Sequence, residues 1–148
     1  MLRPLALDDM DEAAHVFRTS FDQSFPTLKR LHTPEEDRAF FRERLFATCA
    51  MSGAFADGAM TGFIAFREDW IDQLYVLPGS QRQGIGTALL DVAQGAFGRL
   101  QLWTFQRNAN ARRFYEGRGF ALIRKTDGSR NEEKEPDALY CWTRNGLP

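Results

Sequence analysis

Residues 81–90 read Gln-Arg-Gln-Gly-Ile-Gly-Thr-Ala-Leu-Leu, and this stretch decides the fold that the sequence predicts. The residues before it, Ile71–Leu77, are mostly apolar and β-prone, which indicates a strand. From the loop onward, apolar residues recur at helical spacing, namely Ile85, Leu89, Val92, Ala93 and Ala96. The sequence therefore predicts a strand, a tight glycine loop and the first turn of a helix.

This loop has the features of a phosphate-binding turn. Gly84 and Gly86 let the backbone come close to a ligand. The first amides of a helix lack partners within the helix and lie at its positive end, where phosphate or pyrophosphate binds. Leu89 replaces the third glycine of the dinucleotide fingerprint, and no Gly-Lys-Ser/Thr of a Walker loop follows. A glycine turn that merely starts a helix is the alternative.

Composition bounds the class of protein. The 148 residues predict one domain, 1–148, and 43% hydrophobic content with 13 Phe predicts a folded core. A net charge of −1 gives no general attraction to nucleic acid or membranes. Cys49 and Cys141 have no zinc-ligand spacing and are expected to be free thiols. Without a signal peptide or a spanning segment, we expect a cytoplasmic protein.

The remaining elements are read from caps, turns and periodicity. Before the loop, the sequence predicts a strand over Leu2–Leu7 and a helix capped by Asp8 or Asp9, whose apolar face is Met10, Ala13, Ala14, Phe17 and Phe21. A loop or a short helical turn over Phe21–His32 follows. The next helix runs from Thr33-Pro34 to near Cys49, with Thr33 as N-cap and Glu36 closing a capping box. Then come a hairpin over Gly53–Phe66 that turns at Asp57-Gly58 and a loop over Arg67–Asp69. After the glycine loop, the sequence predicts a helix ended by Gly98, a strand over Leu100–Phe105 and a helix over Asn108–Gly119, with Gly119 at positive φ at its end. A strand over Ala121–Arg124, a charged loop over Lys125–Asp137 and a strand over Ala138–Thr143 complete the chain. Together these predict an α/β fold with a mixed sheet and helices on both faces.

Two motifs carry a family resemblance. Gln81–Gly86 resembles the acyl-CoA pyrophosphate loop of the GNAT superfamily of N-acetyltransferases. A second stretch resembles the next signature of that superfamily, Asn108-x-x-Ala111-x-x-Phe114-Tyr115-Glu116-x-x-Gly119-Phe120. The resemblance implies a mostly antiparallel sheet with two splayed central strands, acetyl-CoA as cosubstrate and no metal.

The resemblance also implies which residues bind the cofactor. Main-chain amides of the loop should face the pyrophosphate, and the pantetheine arm should pair with the first splayed strand. Arg82 is either a phosphate contact or a solvated side chain, and Asn108 either binds pantetheine or caps its helix. The implied cofactor-binding residues are Leu74, Tyr75, Val76, Gln81, Arg82, Gln83, Gly84, Ile85, Gly86, Thr87 and Asn108.

The implied catalytic residues are Tyr115 and Asp72. A phenol near the CoA sulfur can protonate the departing thiolate, and a carboxylate on the central strand can deprotonate the amine. Tyr115 is otherwise a packed aromatic residue, and Asp72 is otherwise a solvent-facing strand residue. Glu132, Glu133 or a water chain are alternatives for the base.

The expected function is transfer of an acetyl group from acetyl-CoA to an amine by direct attack. A non-catalytic acyl-CoA sensor is the alternative, and an RNA-binding module using the arginines of the second motif is a third reading. The expected partner is a small-molecule or peptide amine, with no nucleic acid and no membrane, and a homodimer is allowed. The sequence leaves the acceptor open because relatives with one fold modify different amines.

Overall fold

The computed structural model describes residues 1–28 and 31–146. Contacts within the chain group it into two compact units. Unit 1 comprises Met1–Arg67 and Ile71–Ala93, and unit 2 comprises Glu68–Trp70 and Gln94–Pro148. Within the described ranges, no helix combines the length and the apolar character that a membrane crossing requires.

The helices and strands follow the predicted order. The strands are β1 (Leu2–Pro4), β2 (Ala50–Ala56), β3 (Ala59–Arg67), β4 (Asp69–Val76), β5 (Arg99–Phe105), β6 (Ala121–Thr126) and β7 (Asp137–Thr143). The α-helices are α1 (Met10–Ser24), α2 (Pro34–Phe40), α3 (Phe46–Thr48), α4 (Ile85–Ala96) and α5 (Ala109–Gly117). A π-helical turn, Phe41–Leu45, joins α2 to α3, and 3₁₀ turns lie at Leu7–Asp9 and Pro78–Ser80.

The seven strands are hydrogen-bonded in the order β1-β2-β3-β4-β5-β7-β6. β1 with β2, β2 with β3, β5 with β7 and β6 with β7 pair antiparallel. β4 and β5 are parallel, and their ladder joins Asp69 to Leu100 and Trp70 to Gln101. The predicted mixed, mostly antiparallel sheet is therefore confirmed.

Unit 1 is built around an apolar cluster between α1, the segment from α2 to α3, and strands β2 and β3. The predicted apolar positions Met10, Ala13 and Ala14 of α1 are buried there with Phe41 and Phe63. The start of α2 is as predicted: Thr33 Oγ1 accepts from the Glu36 amide at 3.1 Å, and the Thr33 amide donates to Glu36 Oε1 at 2.8 Å. This reciprocal cap satisfies two amides at the helix start.

The predicted hairpin of unit 1 is also present. Asp57 (φ 51°) and Gly58 (φ 82°) join β2 to β3 with both φ angles positive, as a two-residue type I′ turn requires. The predicted loop over Arg67–Asp69 is wrong in extent. β3 runs through Arg67 and β4 starts at Asp69, because Asp69 takes φ 66° and reverses the chain within one linking residue.

The other corrections in unit 1 concern its N-terminal part. β1 ends at Pro4, Leu5 and Ala6 have no regular secondary structure, and a 3₁₀ turn starts at Leu7. The Asp9 carboxylate does not cap α1; it accepts from the Ala6 amide at 2.7 Å and pairs with Arg3. α1 also continues to Ser24, so the loop predicted over Phe21–His32 starts later. Lys29 and Arg30 of that predicted loop lie outside the described residues.

Unit 2 consists of β5, β7 and β6 with α5 and the segment that joins β6 to β7. The cap predicted for α5 is present: Asn108 Oδ1 accepts from the Ala111 amide at 3.2 Å. Gly119 takes φ 89° just past the helix end, as predicted. Two strands are longer than predicted. β6 continues to Thr126, and β7 begins at Asp137, because these two residues pair across the ladder.

Candidate functional site

The glycine loop in unit 1 has the predicted strand–loop–helix geometry. Arg82 (φ 66°) and Gly84 (φ 79°) turn the backbone, and residues 81–84 are exposed. The hydrogen-bond ladder of α4 begins where the Ala88 amide donates to the Gly84 carbonyl at 3.0 Å. The amides before Ala88 therefore belong to the helix start, where N–H groups have no acceptor within the helix.

The space around this loop is open. A Cβ built on Gly84 meets no heavy atom within 4 Å among the residues that the structure describes. The positive φ of Gly84 disfavours a side chain there, and the position that its Cβ would take is open among the described residues. An anion can therefore approach the helix start closely. Gly86 and Thr87 lie in the first turn of α4.

The segment Leu74–Val76 forms the end of β4, as predicted for the strand beside the loop. The Val76 carbonyl accepts from Gln81 Nε2 at 3.2 Å and from Ser20 Oγ at 3.2 Å. Gln81 thus bonds back to the strand end rather than extending from the loop. Tyr75 points to the helical layer, where its ring centroid lies 5.2 Å from that of Phe17.

Asp72 lies in β4 of unit 1 and is not isolated. Its carboxylate accepts two bonds from Arg67, at 2.8 and 3.1 Å, and one from the Cys49 thiol at 3.1 Å. Burial raises the pKa of Cys49 to about 11, and the hydrogen bond to Asp72 adds to the shift. The thiol is therefore a hydrogen-bond donor at neutral pH. The side chain of Asp72 is 26% exposed and can still be reached from solvent.

Tyr115 and Asn108 lie in unit 2, at α5 and its cap. Tyr115 is buried, with 7% of its surface exposed, and its ring packs against Phe114 at 5.2 Å and Phe120 at 5.3 Å. The Tyr115 carbonyl accepts from the Phe120 amide at 3.0 Å, which ends the helix. The ring therefore has a defined position within unit 2.

A hydrogen-bond network around Tyr140 holds the same helix and was not predicted. Tyr140 is fully buried on β7, and its hydroxyl donates to Glu116 Oε2 at 2.5 Å and accepts from Arg112 Nε at 2.9 Å. Burial raises the pKa of Tyr140, and the bond to Glu116 acts in the same direction. Arg112 and Glu116 flank Tyr115 on α5, so β7 is connected to the helix on both sides of the predicted acid.

The segment between β6 and β7 is more ordered than the solvated charged loop of the prediction. Arg107 donates twice to Glu135, at 3.0 and 2.6 Å, and Gln106 Nε2 donates to the carbonyls of Thr126 and Asp137 at 2.8 and 3.0 Å. Asn131 Nδ2 donates to the Glu135 carbonyl at 2.7 Å. These bonds connect the segment to the residues just before the α5 cap.

Sequence reasoning missed one further polar side chain in β4. Gln73 Oε1 is buried and has no hydrogen-bond partner within residues 1–28 and 31–146. No sequence pattern singles out Gln73, because its spacing from Ile71 and Tyr75 does not show whether its oxygen finds a donor. The Tyr140 network gave no sequence signal either, since its partners are more than twenty positions apart.

Comparison with known proteins agrees with this geometry. The model of the acetyltransferase (GNAT) family matches residues 11–120. The GCN5-related N-acetyltransferase from Rhodopseudomonas palustris is similar in fold, with a TM-score of 0.80 and 24% identity over 97% of this chain and 94% of that one. The PaiA N-acetyltransferase from Thermoplasma acidophilum, solved in complex with coenzyme A, has a TM-score of 0.71 and 22% identity over 97% and 98%.

A curated relative is similar over a shorter region. The peptidyl-lysine N-acetyltransferase YiaC from Escherichia coli K12 is 34% identical over 68 residues, which is 45% of this chain and 47% of that protein. The chain thus spans about half the length of the curated relative that it matches. Because the family model covers the elements from α1 to the end of α5, the chain belongs to the acetyltransferase (GNAT) family.

Proposed function

We propose that this protein is an acetyl-CoA-dependent N-acetyltransferase that acts as one domain, 1–148, and that a peptide lysine is the first acceptor to test. The observation that carries the proposal is the exposed helix start at Gly84. Its open volume and backbone amides fit a pyrophosphate. Membership of the GNAT family supports acetyl transfer, and the similarity to a peptidyl-lysine N-acetyltransferase supports the choice of lysine.

In this proposal the cofactor is bound by residues of the loop and of β4. Main-chain amides of Gln83–Thr87 hold the pyrophosphate, with Arg82 adding a charge-assisted contact. Leu74–Val76 pairs with the pantetheine arm, and Asn108 contributes from the cap of α5. When bound, acetyl-CoA supplies an activated thioester carbonyl.

Tyr115 is the proposed general acid and Asp72 the proposed base. The amine loses its proton to Asp72, directly or through water, and its nitrogen forms the new bond to the acetyl carbon. As the carbon–sulfur bond breaks, Tyr115 gives its phenolic proton to the sulfur. Asp72 must exchange one of its donors, Arg67 or Cys49, for the amine or the water before it can act.

Release of CoA thiol from acetyl-CoA in the presence of an N-terminally blocked lysine peptide tests the proposal. A peptide with a free N-terminus but no lysine and a polyamine serve as alternative acceptors. We expect turnover with an amine and none without. Binding of acetyl-CoA without transfer to any amine of the panel would favour the acyl-CoA sensor instead.

Tyr115→Phe makes the test specific for the acid. We expect turnover to fall by roughly 10²-fold or more while the dissociation constant of CoA stays nearly unchanged, because only the hydroxyl is lost. The melting temperature of Tyr115→Phe is the control for packing, because the ring that contacts Phe114 and Phe120 is kept. An unchanged turnover number for Tyr115→Phe would remove Tyr115 from the mechanism.

Asp72→Asn tests the base separately. Loss of the Asp72 carboxylate should lower turnover most at low pH, because the amine is protonated there and depends most on a base. A loss of turnover that does not depend on pH would argue for a structural role of Asp72 with Arg67 and Cys49.

A further inference from the structure

One buried hydrogen-bond acceptor on β4 has no donor in the protein. Gln73 Oε1 is the side-chain oxygen or nitrogen that is left buried without a hydrogen bond within residues 1–28 and 31–146. Buried polar groups in folded proteins are almost always paired, because an unpaired group loses its bonds to water and gains nothing in return. Water or a ligand can supply the missing donor.

The position of Gln73 narrows the source of that donor. Ile71 and Tyr75 lie two positions before and two positions after Gln73 in β4. Ile71 is buried, and Tyr75 packs against Phe17 at 5.2 Å and against Phe63 at 6.1 Å. These two neighbours are thus apolar or aromatic and offer Gln73 no side-chain amine or amide.

The residue directly before Gln73 differs in this respect. Asp72, the adjacent polar residue, has both carboxylate oxygens bonded to Arg67 and receives a third bond from Cys49. Its acceptor capacity is largely used within the protein. Gln73, which comes directly before the segment Leu74–Val76, is therefore the side-chain acceptor of β4 that stays open for a ligand.

We propose that Gln73 is a substrate-binding residue whose Oε1 accepts a hydrogen bond from an N–H group of a bound substrate. The inference rests on the proposed function, which supplies two substrates with N–H groups. One is the acceptor amine, and the other is acetyl-CoA, whose pantetheine arm contains amide N–H groups. The chemistry is the same in both cases, and the experiment distinguishes them.

Gln73→Met removes the acceptor and keeps the length of the side chain, and Gln73→Glu restores oxygen acceptors at the same distance. We expect Gln73→Met to weaken the interaction by about tenfold, as the loss of one hydrogen bond to a substrate predicts. A raised dissociation constant for CoA, measured by calorimetry, identifies the pantetheine amide. A lowered kcat/KM for the blocked lysine peptide with CoA affinity unchanged identifies the acceptor amine. Gln73→Glu should recover most of either loss.

Thermal stability separates substrate binding from a structural role. Because Gln73 Oε1 bonds to no described group, Gln73→Met should melt at or above the temperature of the wild type. Gln106→Met is the matched control, since Gln106 donates to the carbonyls of Thr126 and Asp137, and its loss should lower the melting temperature.

Two results would overturn the inference: a Gln73→Met variant with unchanged CoA affinity and unchanged kcat/KM, or one that melts clearly below the wild type. Failure of the proposed function looks different, because the wild type itself would then neither bind CoA nor acetylate an amine. In that event the melting temperatures still decide, since a destabilised Gln73→Met variant means that Gln73 has a partner in the fold.

Discussion

Asp72 shows how the setting of a single residue changes the role that its type suggests. From the sequence it is the acid within the central strand. In the structure it lies between the guanidinium of Arg67 and the thiol of Cys49, which donate three bonds to it. These three donors occupy both of its oxygens, and the amine or water of the proposed reaction must share those oxygens with them.

The thiol of Cys49 gives a prediction at the same scale. Its pKa is raised from 9.0 to about 11, chiefly by burial and further by Asp72. Since the folded pKa lies above the unfolded one, the native state keeps its proton longer. The resulting contribution to stability is present below pH 9 and is lost as pH rises from 9 to about 11. Alkylation of Cys49 by iodoacetamide, followed by peptide mass mapping, should therefore show a midpoint near pH 11.

Asp72→Asn should lower this midpoint part of the way toward 9, because it removes the nearby negative charge and leaves burial in place. Asp57→Asn, at the exposed hairpin turn, serves as the control that should leave it unchanged. A midpoint near 9 in the wild-type protein would contradict the prediction.

At the scale of elements, the loop between β4 and α4 depends on backbone shape more than on side-chain charge. Gly84 holds φ 79° in open space, and the side chain of Gln81 bonds to the end of β4. In the proposed function, this loop binds the pyrophosphate through main-chain amides at a helix start, and we expect a side chain at Gly84 to obstruct them.

Gly84→Val should therefore raise the dissociation constant of acetyl-CoA at least tenfold, measured by calorimetry, while the protein still folds. The substitution also strains the backbone, at a cost of roughly 1–3 kcal/mol. Gly58→Val is the matched control, because Gly58 has φ 82° and an equally open surrounding among the described residues. Gly58→Val should lose a similar free energy of unfolding and keep the wild-type affinity for acetyl-CoA. Normal binding by Gly84→Val would mean that the loop is not the phosphate site.

α5 is a second element whose placement depends on a partner strand. Arg112 and Glu116 on the helix bond to the hydroxyl of Tyr140 on β7, and Arg107 before the helix pairs with Glu135. A helix of nine residues is too short to be stable alone, so these contacts and its buried face hold it. The position of Tyr115 therefore depends on these contacts.

For the whole molecule, binding of acetyl-CoA should stabilise the folded state. At a concentration one hundred times the dissociation constant, a ligand that binds only the native state adds about 2.7 kcal/mol. For a protein of this size we expect the melting temperature to rise by roughly 5–10 °C. Thermal melts with acetyl-CoA, CoA and NAD check this, with Gly84→Val as the variant that should not respond. A shift with NAD alone would contradict the proposed cofactor.

The sequence by itself determined the local features of this protein. The reciprocal cap of Thr33 and Glu36, the Asp57-Gly58 turn and the Asn108 cap were predicted, because each is formed by residues at most three positions apart. The glycine loop belongs to the same group, since a turn and a helix start depend on backbone preferences within a few residues. The predicted fold class followed from the order of such elements.

Only the tertiary structure decided the partners of the polar side chains. Asp72 meets Cys49 across 23 positions, and Tyr140 meets Glu116 across 24. Within residues 1–28 and 31–146, Gln73 Oε1 is left without a hydrogen-bond donor. Such pairings depend on strand register and on how helices pack against the sheet, and both are set by the burial of the whole apolar surface. No short stretch of sequence contains that information. The hydrogen-bond partners of these side chains therefore became known only from the tertiary structure.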